Sequence, residues 1–158
     1  MSNNDFSNEK IYFVDFDNTI YLHDNKGSIT ETEYRKTNLE YGLGYRQYYP
    51  ESLNTELINA LEKCVDDNTK IILLTGCTFN KCLEAKKNII EEKTSIFSDF
   101  FSVAQKEDKI DLMKIYADAY NMPKKNITLI DDDLDICKLA DTFGFNAFTP
   151  SQFIGKNM

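Results

Sequence analysis

Ile11-Tyr12-Phe13-Val14-Asp15-Phe16-Asp17-Asn18-Thr19 is an apolar run that stops at two carboxylates. It predicts a buried strand. Side chains alternate along a strand, so Asp15 and Asp17 are expected to start on one face, with Phe16 on the other. Like charges so close repel, and packing them together raises at least one pKa unless a cation lies between them. The pair therefore asks for a metal. Asp-Asn-Thr is also ordinary turn chemistry, in which Asp17 caps the next segment, so the weight of the motif depends on how other strands end.

Two other apolar runs end in the same manner. Ile71-Ile72-Leu73-Leu74 stops at Thr75-Gly76, and Ile127-Thr128-Leu129-Ile130 runs into Asp131-Asp132-Asp133. The four apolar residues of the first, bounded by Lys70 and Thr75-Gly76, fit a strand buried on both faces. Between them lie helical patterns: Leu53, Leu57, Ile58, Leu61 and Val65 form a stripe, residues 80–93 and 108–121 read as helices, and another follows the triple aspartate to about Phe143. In 108–121 the residues expected inward are Ile110, Met113, Ile115, Tyr116 and Tyr120. Residues 100–103 and 144–148 read as short strands. Strands alternating with helices give parallel crossovers and an α/β fold, a sheet with helices on both faces. Ligands of such sheets bind at the carboxyl ends of the strands, where strand order reverses. Asp15, Asp17, Thr75 and Asp131 to Asp133 all fall there.

The chain of 158 residues has the length of one domain, 1–158, with loose tails expected at 1–10 and 150–158. Its hydrophobic fraction of 42% is that of a globular protein, and no apolar stretch approaches the roughly 20 residues that span a bilayer. The polar start lacks the layout of a signal peptide, so a cytoplasmic location is expected. A formal net charge of -8 argues against a broad basic surface for duplex nucleic acid, although six of the 26 acids lie in the two carboxylate clusters, where divalent cations would offset them. Cys64, Cys77, Cys82 and Cys137 show no zinc spacing and are expected as free thiols, with no role for Cys77 beside its strand end. Residues 19–25 read as extended, with a turn at 25–27, a short flap carrying the only histidine, His23, as a solvated loop residue. Residues 31–47 are rich in tyrosine but have no sustained period, and read as irregular.

The strand ends DFDNT, LLTG and LIDDD, in that order and with a lysine ahead of the last, resemble the haloacid dehalogenase superfamily of phosphohydrolases over residues 11–148. The stretch LIDDDLDICKLADTFGFNAF resembles that family's fourth motif. The resemblance implies a HAD-like Rossmannoid three-layer sandwich with a parallel sheet, a short flap and no large cap domain. It implies Asp15 as nucleophile, forming an aspartyl-phosphate, and Asp17 as acid and base, with its main-chain carbonyl on the metal. Thr75 and Gly76 would bind the phosphoryl group, and Thr75 read alone is a helix cap. Lys109, 23 residues before Asp132, would neutralise Asp15 and the phosphoryl group, with Lys106 as the alternative. Asp131 and Asp132 would hold Mg²⁺, which an all-oxygen ligand set favours. Asp132, 12 residues before Gly144, is preferred as the direct ligand. Asp133 and Asp135 are expected to cap and charge the next helix, and Asn18 and Thr19 to shape the turn.

The implied function is a Mg²⁺-dependent phosphomonoesterase. Little room for a cap suggests an open site and a bulky substrate: a nucleotide, a polynucleotide end or a phosphoprotein. Two other readings compete. A response-regulator receiver shares the residue types, but there the acidic pair ends the first strand and the lysine ends the last, unlike this order. A silent module binding a phospho-ligand or a partner protein keeps the fold without the chemistry, and no substitution among the motif residues supports it.

Overall fold

The first strand, β1 (Lys10–Val14), is apolar on both sides because both sides are covered. Ile11 and Phe13 enter one buried cluster, while Val14, with Tyr12 packed beside it, enters another. That is the environment of a central parallel strand. The computed structural model describes residues 9–22, 52–77 and 80–157. After β1 come α1 (Thr55–Glu62), β2 (Thr69–Gly76), α2 (Asn80–Glu91), β3 (Phe97–Val103), α3 (Asp108–Ala119), a 3₁₀ turn (Lys124–Asn126), β4 (Ile127–Ile130), α4 (Leu134–Thr142), β5 (Asn146–Phe148) and α5 (Pro150–Lys156). The five strands are parallel in the order β3-β2-β1-β4-β5. Strand order therefore reverses beside β1, whose Val14 pairs with Leu73 of β2 and with Ile130 of β4.

The two clusters define three layers. Leu57, Ile58 and Leu61 of α1, Ile89 and Ile90 of α2, and Phe153 of α5 pack on Val14, Ile71, Leu73 and Ile130. Ile110, Met113 and Ala117 of α3, with Ile136 and Ala140 of α4, pack on Ile11, Phe13, Ile72, Leu74, Ile127 and Leu129. The α/β sandwich expected from the sequence is present, and among the described residues no cap domain interrupts it.

Several local expectations are corrected. The chain does not run extended straight from Thr19: residues 18–20 form a turn, with the amides of Thr19, Ile20 and Tyr21 all directed to the Phe16 carbonyl, and only then does Tyr21 bridge to Leu53 and the Leu22 amide donate to the Ser52 carbonyl. The α1 stripe ends early, with Val65 beyond the helix and 45% exposed. In α3, Ile115 is 60% exposed because it lies two positions, about 200° of helical rotation, from buried Met113. Tyr120, which stacks on Tyr116, is also mostly outside the core. His23, the turn at 25–27 and the tyrosine-rich 31–47 lie outside the described residues.

Of the expected loose tail at 150–158, Pro150–Lys156 is instead a docked helix. Thr149 accepts from the Gln152 amide and Gln152 reaches back to the Thr149 amide, a capping box with Pro150 in the first turn. Phe153 is buried, edge-on to Tyr12 at 5.7 Å and beside Phe148. At the other end, Lys10 already belongs to β1. Phe153→Ala should therefore cost about 3–5 kcal/mol in chemical denaturation, as for a core aromatic. A change within about 0.5 kcal/mol, the usual effect of a surface substitution, would return this segment to the status of a tail.

Candidate active site

Asp15 and Asp131 each lie one residue beyond adjacent strands, β1 and β4. Backbone pairing continues through both: the Asp15 amide donates to the Ile130 carbonyl at 2.9 Å and the Asp131 amide to the Phe148 carbonyl at 3.1 Å. Strand alternation carries Asp15 onto the side of Ile11 and Phe13, and Asp131 onto the side of Ile127 and Leu129, both toward α3. Lys109 is the second residue of α3. Helical side chains tilt toward the N-terminus, which brings Lys109 to the strand ends. Its Nζ lies 2.9 Å from Asp15 Oδ1 and 2.8 Å from Asp131 Oδ2, with all three side chains buried.

Beyond Asp15 the pleat stops. The turn that converges on the Phe16 carbonyl includes Asn18 at φ 58°, in the left-handed region that asparagine tolerates. It buries the Thr19 side chain, whose Oγ1 lies 3.2 Å from both Asp15 Oδ2 and Asp132 Oδ1 and accepts from the Asp132 amide at 3.0 Å. The start of α1 braces the same turn: Asn54 caps the helix through Oδ1 and donates from Nδ2 to the Thr19 carbonyl.

Asp17 does not share a partner face with Asp15, contrary to the expectation from alternation, because the turn has already left the strand. Its Oδ2 meets Lys86 Nζ at 2.9 Å, and the same ammonium lies 2.7 Å from Thr75 Oγ1. Lys86 belongs to α2, in the opposite helical layer, and is 1% exposed. Sequence reasoning missed it. The signal was its place three and four residues before Ile89 and Ile90, on the buried stripe of α2, where an unpaired lysine is not tolerated.

The remaining sequence candidates separate clearly. Lys106 is an exposed lysine bonded to Asp133 at 3.1 Å, whereas Lys109 stands between the buried carboxylates. Asp133 caps α4, accepting from the Asp135 and Ile136 amides, and Asp135 lies in the first turn of that helix. Thr75 is within β2 and caps no helix. Gly76 ends β2 with its position open to solvent. All four cysteines are free. The Cys77 thiol is held far above its usual range by its hydrogen bond with Cys82 and by burial, which disfavours a thiolate there.

One oxygen from each of Asp15, Asp131 and Asp132 can be chosen so that all lie within 4.8 Å of one another. The electrostatics of this trio leave charge unmatched. Burial pushes the Asp15 carboxyl well above its usual range, Asp131 and Asp17 push it further, and Lys109 only opposes the rise. Burial likewise raises Asp131 against the pull of Lys109. For Lys109 itself, burial would lower the pKa, but Asp15 and Asp131 outweigh it and raise it. One ammonium cannot neutralise both carboxylates and Asp132 as well, and an all-oxygen set of this kind fits a hard divalent cation. Mg²⁺ at about 100 times its dissociation constant should therefore raise the melting temperature by about 5–10 °C. Asp132→Asn should lose most of that shift in differential scanning fluorimetry. An equal shift in both proteins would place the cation elsewhere.

Neither a family model nor a curated protein matches the sequence. Solved structures do match the fold. A HAD family enzyme of Bacteroides thetaiotaomicron, in complex with magnesium, aligns at a TM-score of 0.51 with 16% identity, covering 90% of this chain and 93% of that one. The cobalt-bound deoxy-D-mannose-octulosonate 8-phosphate phosphatase of Haemophilus influenzae gives 0.53 with 13% identity, over 91% and 70% of the two chains. A phosphatase-domain fragment from Bacteroides fragilis, complexed with Mg, gives 0.57 with 13% identity, but only 38% of that chain is covered. The fold is thus that of HAD family enzymes.

Proposed function

We propose that the protein is a Mg²⁺-dependent phosphomonoester hydrolase that works through Asp15. The observation that carries this reading is the position of Asp15: a buried carboxylate at the reversal of strand order, hydrogen-bonded to Lys109 and Thr19 and grouped with Asp131 and Asp132. A structural carboxylate would need one partner; this one is surrounded by groups suited to a phosphoryl dianion and its counter-ion. Asp15, Asp131 and Asp132 would hold Mg²⁺, together with the main-chain carbonyl of Asp17. The ion would neutralise charge on the phosphoryl oxygens and on the attacking carboxylate.

In the first half-reaction an Asp15 oxygen attacks phosphorus and the bond from phosphorus to the ester oxygen breaks. Asp17 gives that oxygen a proton. In the second, Asp17 takes a proton from water, whose oxygen attacks phosphorus and displaces the Asp15 carboxylate, releasing inorganic phosphate. Lys109 holds Asp15 in place and offers its charge to the developing phosphorane. Thr75 and the backbone at Gly76 bind the non-reacting oxygens. A carboxylate needs no activating base to be nucleophilic at neutral pH, in keeping with a site that contains no histidine among the described residues.

Four variants test these roles by steady-state turnover of a generic phosphomonoester. Asp15→Asn should be inactive, and Asp17→Asn should lose roughly 10²- to 10⁴-fold, the contribution of a positioned acid and base. Lys109→Ala should lose activity while Lys106→Ala keeps it. Wild-type turnover in excess chelator, or the reverse outcome for the two lysines, would overturn the assignment.

The substrate reading is a bulky phosphomonoester: a nucleotide or polynucleotide end ahead of a phosphoprotein. Its support is that one helix, α2, connects β2 to β3, with no inserted domain there to close over Asp15. Across a panel of phosphomonoesters, kcat/KM should be highest for nucleotides or phosphopeptides. Clear preference for small sugar or amino-acid phosphates would refute the size argument.

A further inference from the structure

The phosphatase reading uses Lys109 and leaves Lys86 without a task, yet Lys86 is the more deeply buried of the two, at 1% against 5% exposure. Burying an ammonium is costly unless it is paired, so its partners are informative. They are the Asp17 carboxylate and the Thr75 hydroxyl, with the Phe16 ring 5.1 Å from Nζ. Lys86 thus links two groups that come from different strands, Asp17 beyond β1 and Thr75 in β2.

An ammonium donates and cannot accept. Thr75 Oγ1, 2.7 Å away, must therefore accept from Lys86, which turns its own hydrogen away from the lysine. Asp17 Oδ2 likewise accepts from Lys86, at 2.9 Å, so one ammonium fixes both groups. We infer that Lys86 is a positioning residue for the reaction: it fixes the orientation of Asp17 relative to the hydroxyl of Thr75. The acid that protonates the leaving oxygen is thereby aligned with the group that binds the phosphoryl oxygens. Lys86 and Lys109 then divide the work from opposite layers of the sandwich, Lys109 setting the nucleophile and Lys86 the acid.

This rests on the phosphatase reading, and leaving-group dependence separates the two. An alkyl phosphate expels a strongly basic oxygen and needs a well-placed acid, whereas 4-nitrophenyl phosphate expels a stable anion and needs little help. kcat/KM reports steps up to leaving-group departure. With Mg²⁺, Lys86→Met should lower kcat/KM for glycerol phosphate on the order of 10²-fold, the lower end of what a positioned acid contributes. The loss for 4-nitrophenyl phosphate should be less than about tenfold, and Lys86→Arg should recover part of it. In an Asp17→Asn background, Lys86→Met should add little further loss, because the residue it positions is already disabled. Circular dichroism checks the fold, and Lys86→Gln supplies the same readings should the methionine variant not fold. Equal losses on both substrates, or no loss on either, would overturn the inference while leaving the phosphatase reading intact. A wild type that turns over no phosphomonoester with Mg²⁺ would overturn both.

Discussion

One ammonium held between two buried carboxylates is the constraint around which the molecule is arranged. Lys109 joins the ends of β1 and β4, the neighbouring strands at which the order of the sheet reverses. Desolvating three ions costs several kcal/mol for each before their attraction is counted, so the cluster is a poor source of net stability; removing one partner is what costs, about 3–5 kcal/mol for a buried pair. The rest of the site comes from keeping those ions satisfied. The turn after Asp15 buries Thr19 to hydrogen-bond it, Asn54 holds that turn, and Asp131 also accepts from the Asp133 amide at the start of α4.

The hydrophobic layers around the site are conventional, and their parity does much of the positioning. Because β1 and β4 are parallel and in register, Asp15 and Asp131 inherit the face of Phe13 and Leu129, and α3 covers that face. Thr75 follows Leu74 of β2 and so inherits the other face, the one covered by α2. Two cations from two layers thus meet a row of acids at one edge. A sheet with helices on a single face could not supply both without bringing one across the strand ends.

The α/β class, the strands and their polar ends were legible because buried parallel strands write themselves as short apolar runs, and each run here stops at the group it presents. Lys109 was legible through its spacing to the last carboxylates. Lys86 was not, since a lysine in a charged helix reads as solvated unless its stripe is followed through Ile89 and Ile90. The alternation rule failed at Asp17 for a physical reason: it holds only while the strand lasts, and pairing stops at Asp15, after which three amides turn to the Phe16 carbonyl. The docked helix at Pro150–Lys156 was also readable in principle, since Thr149, Pro150 and Gln152 spell a capping box. Its short length and single buried aromatic kept it below the threshold of periodicity.

The placement of β1 has a consequence for how the chain acquires its shape. Its register partners in β2 appear within the first half of the sequence, but those in β4 come far later, and Thr19 and Asp132, which share a hydrogen bond, are separated by 113 positions. During synthesis β1 can pair along one side only, with an apolar edge waiting for most of the polypeptide to emerge. Long-range parallel pairing of this kind slows folding, and an unpaired apolar edge invites association with other chains. Among the described strands, the one that leads into Asp15 is thus the first to be made and among the last to be completed.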